Sequence, residues 1–129
     1  MSFIYVDSSA LIKLVIPERE SVALRRWLRG REIVSSRIAQ VEVVRGVRRT
    51  RWEARPGASE LLLEIDLIGV DAQVVTAASE LAPPELRSLD AIHLATALYI
   101  GEELDGFVTY DRQLGRAATA AGLAVESPR

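Results

Sequence analysis

Four acidic residues lie at positions in the sequence from which their carboxylates could form a cluster. Asp7 directly follows the apolar run "FIYV", Asp111 follows "FVTY", and Glu42 and Asp90 lie within helical patterns. Clustered carboxylates repel one another and take up protons unless a cation joins them. With no cysteine and a single histidine in the chain, such an oxygen-only site favours Mg²⁺ or Mn²⁺ over zinc. Ions of this kind polarise a phosphoryl oxygen and activate water near neutral pH.

Each acid also has a simpler structural explanation. Asp7 and Asp111 precede predicted helices, where an Asp N-cap contributes about 1 kcal/mol, and Asp71 occupies the same kind of position. Asp90 falls in the first turn of a helix whose N-cap is predicted to be Ser88, and a carboxylate there favours the helix dipole by about 0.3–1 kcal/mol. The apolar neighbours of Asp90 indicate that it is not well exposed, which weakens the dipole explanation for this residue.

Glu42 has a possible partner on its own helix. An ion pair with Arg45, three residues later, would contribute about 0.2–0.5 kcal/mol. If Glu42 instead joins the acid cluster, a like charge about 5 Å away would repel it by roughly 3 kcal/mol at an effective dielectric near 20. In that case, replacing Glu42 with Gln should stabilise the metal-free protein.

Predicted strands and helices alternate along the chain and must position these acids. Apolar runs predict strands over residues 3–6, 33–35, 67–70, 106–109 and 123–125. Helical spacing and capping residues predict helices over residues 7–15, 21–28, 38–50, 57–65, 72–81, 89–100 and 112–121. Strands separated by helices indicate an α/β fold with a parallel sheet covered on both faces. Ligands bind at the carboxyl ends of the strands in such sheets, where Asp7 and Asp111 would project.

Composition fits one globular domain of 129 residues, with 49% hydrophobic and 26% charged residues. The net charge of −2 hides an uneven distribution, because fifteen of the sixteen basic residues are arginine and many lie in two blocks, residues 25–31 and 45–55. These blocks are either solvated helix faces with ion-pair partners or surfaces that bind phosphate. Trp27 and Trp52 lie within them and either pack or stack on bases. No apolar run reaches the length of a membrane span, so we expect a soluble cytoplasmic protein.

The four acids lie in segments that resemble the motifs of the PIN-domain family, and within it the VapC-type toxin ribonucleases of bacterial toxin–antitoxin pairs. "YVDSSALIKL" carries Asp7, "RIAQVEVVRG" carries Glu42, "LRSLDAIHLATAL" carries Asp90 and "FVTYDRQLGRAATAAG" carries Asp111. The matches run in order from near residue 3 to near residue 123, so the resemblance covers nearly the whole chain.

The resemblance implies a single PIN-like domain over residues 1–129, with three α/β/α layers and a parallel sheet of about five strands. It implies an endoribonuclease that depends on Mg²⁺ or Mn²⁺ and cuts single-stranded or looped RNA. Asp7, Glu42, Asp90 and Asp111 would be its catalytic residues and metal ligands. It also implies a cognate antitoxin whose tail enters the active site, and a homodimer. Many family members carry a further acid two residues after the fourth, where this chain has Gln113.

Other functions remain open from the sequence. A PIN-type nuclease could process RNA without an antitoxin, or the fold could serve only to bind RNA. A receiver-like signalling domain also binds Mg²⁺ in an acidic pocket. Among the neighbouring polar residues, His93 is interpreted as packed or hydrogen-bonded and is left out of the site. Ser8 either orients Asp7 or caps a helix, and Thr109 either contacts metal-bound water or phosphate or is an ordinary strand residue.

Overall fold

A five-stranded parallel sheet forms the centre of the computed structural model, which describes residues 2–129. Its strands are β1 Phe3–Val6, β2 Glu32–Ser36, β3 Asp66–Ile68, β4 Leu104–Val108 and β5 Val125–Glu126. They lie in the order β3-β2-β1-β4-β5, and every neighbouring pair is parallel. Receiver-like domains have the order 2-1-3-4-5, so the receiver-like alternative is wrong.

Seven helices connect the strands of residues 2–129. They are α1 Ser8–Lys13, α2 Ser21–Leu28, α3 Ile38–Thr50, α4 Arg55–Glu64, α5 Ala72–Ser79, α6 Ser88–Ile100 and α7 Arg112–Ala120, with 3-10 turns at Trp52–Ala54 and Gly101–Glu103. The order of elements matches the prediction. α4 begins two residues early because Pro56 fits the first turn of a helix, where its missing N–H is not needed. No helix in this part of the chain is long and apolar enough to cross a membrane.

Successive residues of β1 point to opposite faces of the sheet, and both faces are buried. Ile4 and Val6 pack into a core with α1–α4, whose buried members include Leu11, Leu24, Val43 and Ala58. Tyr5 packs into a second core with α5–α7, whose buried members include Val74, Leu94 and Leu114. A strand buried on both faces needs the continuous apolar run seen in the sequence. The predicted three-layer α/β/α architecture is confirmed.

The N-terminus of α6 corrects one sequence prediction. Ser88 is the first helical residue rather than the N-cap, and Arg87 holds the cap position with no side-chain capping bond. The Arg87 side chain instead reaches across to two carboxylates, Asp90 on its own helix and Asp111 before α7. Asp90 lies in the first turn of α6, as predicted.

Candidate active site

Asp7 is a buried carboxylate at the carboxyl end of β1. Its Oδ1 accepts hydrogen bonds from the Ala10 N–H at 3.0 Å and from Ser9 Oγ at 3.2 Å, and its Oδ2 accepts one from Thr109 Oγ1 at 2.6 Å. Only 4% of Asp7 is exposed, and all three donors are uncharged. Burial raises the pKa of Asp7, although these hydrogen bonds and the charge of His93 oppose the increase. The predicted N-cap role is confirmed, but it occupies only one of the two carboxylate oxygens.

Glu42 reaches the start of α1 rather than an arginine of its own helix. Ser8 Oγ donates to Glu42 Oε1 at 2.6 Å, and His93 Nε2 lies 2.8 Å from the same oxygen. The alternative partner, Arg45, forms no ion pair among residues 2–129. Burial raises the pKa of Glu42, but the hydrogen bonds from His93 and Ser8 and the charge of His93 outweigh it, so this pKa is lowered. The fold therefore favours the charged form of Glu42.

His93 joins the site from α6 and is a residue that sequence reasoning left out. It is 2% exposed, and its Nδ1 lies 2.6 Å from the Tyr5 hydroxyl. Because a carboxylate only accepts hydrogen bonds, Nε2 carries a proton toward Glu42 in either charge state of the ring. The expectation that His93 is packed and hydrogen-bonded is confirmed, but its partner is a predicted site carboxylate. The available signal was its position one helical turn after Asp90.

Asp90 and Asp111 share an arginine. Arg87 Nε donates to Asp90 Oδ2 at 3.3 Å, and Arg87 Nη2 donates to Asp111 Oδ2 at 3.0 Å. Burial raises the pKa of Asp90, the positive charge of Arg87 opposes that increase, and the negative charge of Asp111 adds to it. The two carboxylates are therefore close enough to influence each other, and a cationic side chain holds them together.

Thr109 connects the two sides of the site. Its Oγ1 donates to Asp7 Oδ2 and accepts the Asp111 backbone N–H at 3.1 Å, and the residue is 1% exposed. Asp111 Oδ1 accepts the Leu114 N–H at 2.8 Å, which is the predicted N-cap of α7. Thr109 is therefore hydrogen-bonded to the candidate site, and its contact with metal-bound water or phosphate stays a prediction.

The four predicted acids fall into two groups by their partners. Asp7 and Glu42, here called the inner pair, are bonded to hydroxyls, a backbone N–H and His93, and Asp90 and Asp111, here called the outer pair, share Arg87. As they stand, no three His, Asp or Glu side chains within residues 2–129 are arranged to hold a metal ion. Arg87 lies between the outer carboxylates, and Glu42 Oε1 faces Ser8 and His93.

The PIN domain family model matches residues 4–120 of the chain. This chain belongs to the PIN domain family. Ribonuclease VapC46 of Mycobacterium tuberculosis is 46% identical to it over 129 residues, with 99% of each chain covered. The resemblance to VapC-type PIN domains inferred from the four motifs is confirmed.

Solved PIN-fold structures agree with the observed architecture. The crystal structure of Mycobacterium tuberculosis VapC20, described as a toxin that cleaves the sarcin–ricin loop, aligns with a TM-score of 0.76 at 19% identity, covering 97% of this chain and 99% of that one. A toxin–antitoxin complex from Klebsiella pneumoniae aligns with a TM-score of 0.71 at 23% identity, covering 98% of each chain. At these identities the structures support the fold of this PIN domain alone.

Proposed function

We propose that this PIN domain is an endoribonuclease that depends on Mg²⁺ or Mn²⁺ and cleaves single-stranded or looped RNA. Its catalytic and metal-binding residues would be Asp7, Glu42, Asp90 and Asp111. The observation that carries the proposal is Asp7, a buried carboxylate with only uncharged donors, at a sheet edge shared with three further acids. A buried charge of this kind is costly without a counter-charge. The full-length relative named as a ribonuclease supports RNA as the substrate class.

The donors fit a hard divalent cation. The four acids offer only carboxylate oxygens, the ligands that Mg²⁺ and Mn²⁺ prefer, and no thiolate is present in the chain. Glu42 Oε2 and Asp90 Oδ1 accept no hydrogen bond from residues 2–129, so these two acids each have an oxygen ready for such a ligand role. When bound, the cation supplies the Lewis acidity that polarises a phosphoryl oxygen and makes water nucleophilic near neutral pH.

The surrounding polar side chains orient the acids. Ser8 and His93 hold Oε1 of Glu42, and Thr109 holds Oδ2 of Asp7. We assign these three residues positioning roles, since each acts through a carboxylate. Groups that orient metal ligands in this way typically change affinity or activity by about 10- to 100-fold.

Arg87 supplies the positive charge at the site. Its side chain is 71% exposed, so its guanidinium can leave the outer pair without disturbing the core. A guanidinium binds phosphate oxygens bidentately. We assign Arg87 the role of neutralising the RNA phosphate at the outer pair.

The proposal also covers organisation and partners. We propose that residues 1–129 form one domain, that the protein is the toxin of a toxin–antitoxin pair in the cytoplasm, and that it forms a homodimer. The VapC name of the full-length relative and the toxin–antitoxin complex among the structural neighbours support a cognate antitoxin. Expression of the chain alone should arrest growth, and co-expression of the neighbouring reading frame should restore it. Harmless expression of a protein shown to be active would favour RNA processing without an antitoxin.

The enzymatic proposal is tested by cleavage of a mixed-sequence RNA by the purified protein. Millimolar Mg²⁺ or Mn²⁺ should support internal cleavage, and excess EDTA should stop it. Cleavage that continues in excess EDTA would contradict metal dependence, and intact RNA under all conditions would contradict ribonuclease activity.

A further inference from the structure

The second arginine block forms a positively charged surface that lacks acidic partners. Residues 45–55 contain five arginines and one glutamate. The segment runs along the second half of α3, through the 3-10 turn and into α4, and all five arginines are exposed. None of them forms an ion pair with a carboxylate in the part of the chain that the structure describes. A solvated face with paired charges therefore does not describe this block.

Trp52 lies among these arginines with its ring accessible. The residue is 48% exposed, and the Arg55 and Arg48 guanidinium carbons lie 3.4 Å and 5.8 Å from its ring centroid. Arg55 Nε also donates to the Trp52 carbonyl oxygen at 3.1 Å, which fixes the turn. A surface cleft of about 340 Å³ is lined by Arg45, Arg48, Arg49 and Trp52. The helix dipole explains cations in the last turn of α3, but not an exposed aromatic ring beside them.

The cleft lies on the helix that carries Glu42 into the candidate active site. Glu42, Arg45 and Arg49 follow an i, i+3, i+7 spacing, so they share one side of α3. A rise of 1.5 Å per residue separates Glu42 from Arg49 by about 10 Å along the helix axis. At about 3.4 Å per nucleotide of one strand, roughly three stacked nucleotides span this distance.

We propose that Arg45, Arg48, Arg49, Trp52 and Arg55, here called the α3 surface, bind single-stranded RNA beyond the point of cleavage. The arginines contact phosphates, and Trp52 stacks on a base, the combination that proteins use for single strands. The proposal rests on the proposed ribonuclease function. It locates the surface that binds the part of the RNA substrate extending beyond the point of cleavage. An unpaired positive surface selects a polyanion, and the accessible ring favours nucleic acid over an acidic protein segment.

The first arginine block provides a matched control. Arg26 and Arg29 are exposed, lie three residues apart and form no ion pair in residues 2–129. The tryptophan of that block, Trp27, is partly buried against the α1–α4 core. The two blocks therefore have similar charge, but only the α3 surface presents an accessible ring.

The test measures binding of a fluorescein-labelled 2′-O-methyl RNA of about 12 nucleotides and mixed sequence, which cannot be cleaved, by anisotropy in EDTA over a range of salt concentrations. Each phosphate contact contributes about 0.7 to the slope of log affinity against log salt for single strands. R45Q/R49Q should lower this slope by about 1.4, whereas R26Q/R29Q should leave it unchanged. W52L should weaken binding about tenfold with the slope retained, and W52F should bind within about twofold of wild type. Melting temperatures confirm that the variants are folded.

Three results would overturn the proposal: equal slope losses in the two double variants, wild-type affinity in W52L, or competition by polyglutamate as effective as that by the oligonucleotide at equal charge. The last would assign the surface to an acidic protein segment. Failure of the proposed function is distinguishable, because binding here requires no metal. A protein that binds the probe through the α3 surface but cleaves no RNA in Mg²⁺ would contradict the ribonuclease proposal and retain this one. Cleavage of RNA in Mg²⁺, with none of these binding changes in the variants, would contradict the proposal for the α3 surface and retain the ribonuclease proposal.

Discussion

The inner and outer carboxylate pairs are held by opposite means. Hydroxyls, a backbone N–H and one imidazole hold Asp7 and Glu42, whereas the guanidinium of Arg87 bridges Asp90 and Asp111. Four partners of the inner pair, Ser8, Ala10, His93 and Thr109, are buried, but Arg87 is an exposed side chain. We infer that the fold itself orients the inner pair, whereas Arg87 would compete with a cation for the outer pair.

The two members of the inner pair also differ from each other. Burial raises the pKa of Asp7 despite its donors, whereas at Glu42 burial is outweighed by the hydrogen bonds from His93 and Ser8 together with the charge of His93, so that pKa is lowered. An acid with a raised pKa in the folded state lowers stability as the pH rises past its unfolded pKa. An acid with a lowered pKa contributes stability that is lost as the pH falls through its folded pKa. Charge at Glu42 is therefore supported by the metal-free fold, and charge at Asp7 is not.

The largest expected effect is the loss of activity in Asp7→Asn. Residues that orient metal ligands typically contribute about 10- to 100-fold, so loss of a ligand should reduce the rate of RNA cleavage by more than about 100-fold. Asn caps helices about as well as Asp, so α1 should stay intact. Asp71→Asn is the matched control, because Asp71 caps α5 through the Val74 N–H at 2.9 Å and lies outside the two pairs. Equal activity in the two variants would reduce Asp7 to a helix cap.

The same variant gives a pH prediction. Because burial raises the pKa of Asp7 above its usual 3.8, Asp7→Asn should be more stable than wild type in EDTA near pH 7. The difference should shrink as the pH falls through the raised pKa of the wild-type carboxyl toward its unfolded value of 3.8. Thermal melts of both proteins across this range measure the trend. A stability difference that grows on acidification would show that the buried charge at Asp7 is not penalised.

A smaller effect is expected at His93. His93→Phe keeps an aromatic ring but removes the contact to Glu42 Oε1, and should weaken Mn²⁺ affinity by about 10- to 100-fold. His93→Gln retains a side-chain N–H donor and should recover part of this loss. Calorimetric titration gives the affinities, and melts in EDTA report folding. If both variants bind Mn²⁺ as wild type does, His93 contributes to packing alone.

For Glu42→Gln, we expect a change in stability opposite to the one that the sequence predicted. Charge repulsion in an acid cluster predicted that this change would stabilise the metal-free protein, but the lowered pKa shows that Ser8 and His93 favour the charge. Loss of these charge-assisted hydrogen bonds should reduce stability near pH 7 by about 1 kcal/mol. Denaturant unfolding in EDTA at neutral pH measures the difference. A more stable Glu42→Gln protein would restore the repulsion model.

The smallest effect is expected at Arg87, in the opposite direction. Exposed ion pairs contribute about 0.2–1 kcal/mol, so removing the bridge in Arg87→Gln should tighten Mn²⁺ binding by no more than about fivefold. Arg112→Gln, which alters a nearby helical arginine that forms no ion pair among residues 2–129, is a suitable control. Weaker Mn²⁺ binding in Arg87→Gln would show that the bridge positions the outer pair rather than competing with the cation.

The fold was predictable because its signals are local. Strands buried on both faces appear as continuous apolar runs, and the helices between them follow their own spacing and caps, so the order of elements was recovered. The predictions were wrong where a contact between residues far apart in the sequence determines the local structure. Arg87 replaces Ser88 at the N-cap of α6 while its guanidinium reaches Asp111, 24 residues away.

The candidate site was predictable in its acids but not in their partners. Asp7 and Asp111 follow strands, and the four motifs carry all four carboxylates. The contact of His93 with Glu42 spans 51 residues, and its contact with Tyr5 spans 88. Helical spacing cannot indicate such pairings, and it favoured Arg45 as the partner of Glu42. The packing of α1, α3 and α6 around β1 determines them instead.

We propose that the inner and outer pairs bind one cation together. Mn²⁺ titration of single variants from each pair tests this proposal most directly. Wild type, Asp7→Asn and Asp90→Asn are titrated by calorimetry at neutral pH without RNA. We expect wild type to bind Mn²⁺ and both variants to lose most of this affinity. Wild-type affinity in Asp90→Asn, with binding lost in Asp7→Asn, would contradict a shared site and exclude the outer carboxylate from it.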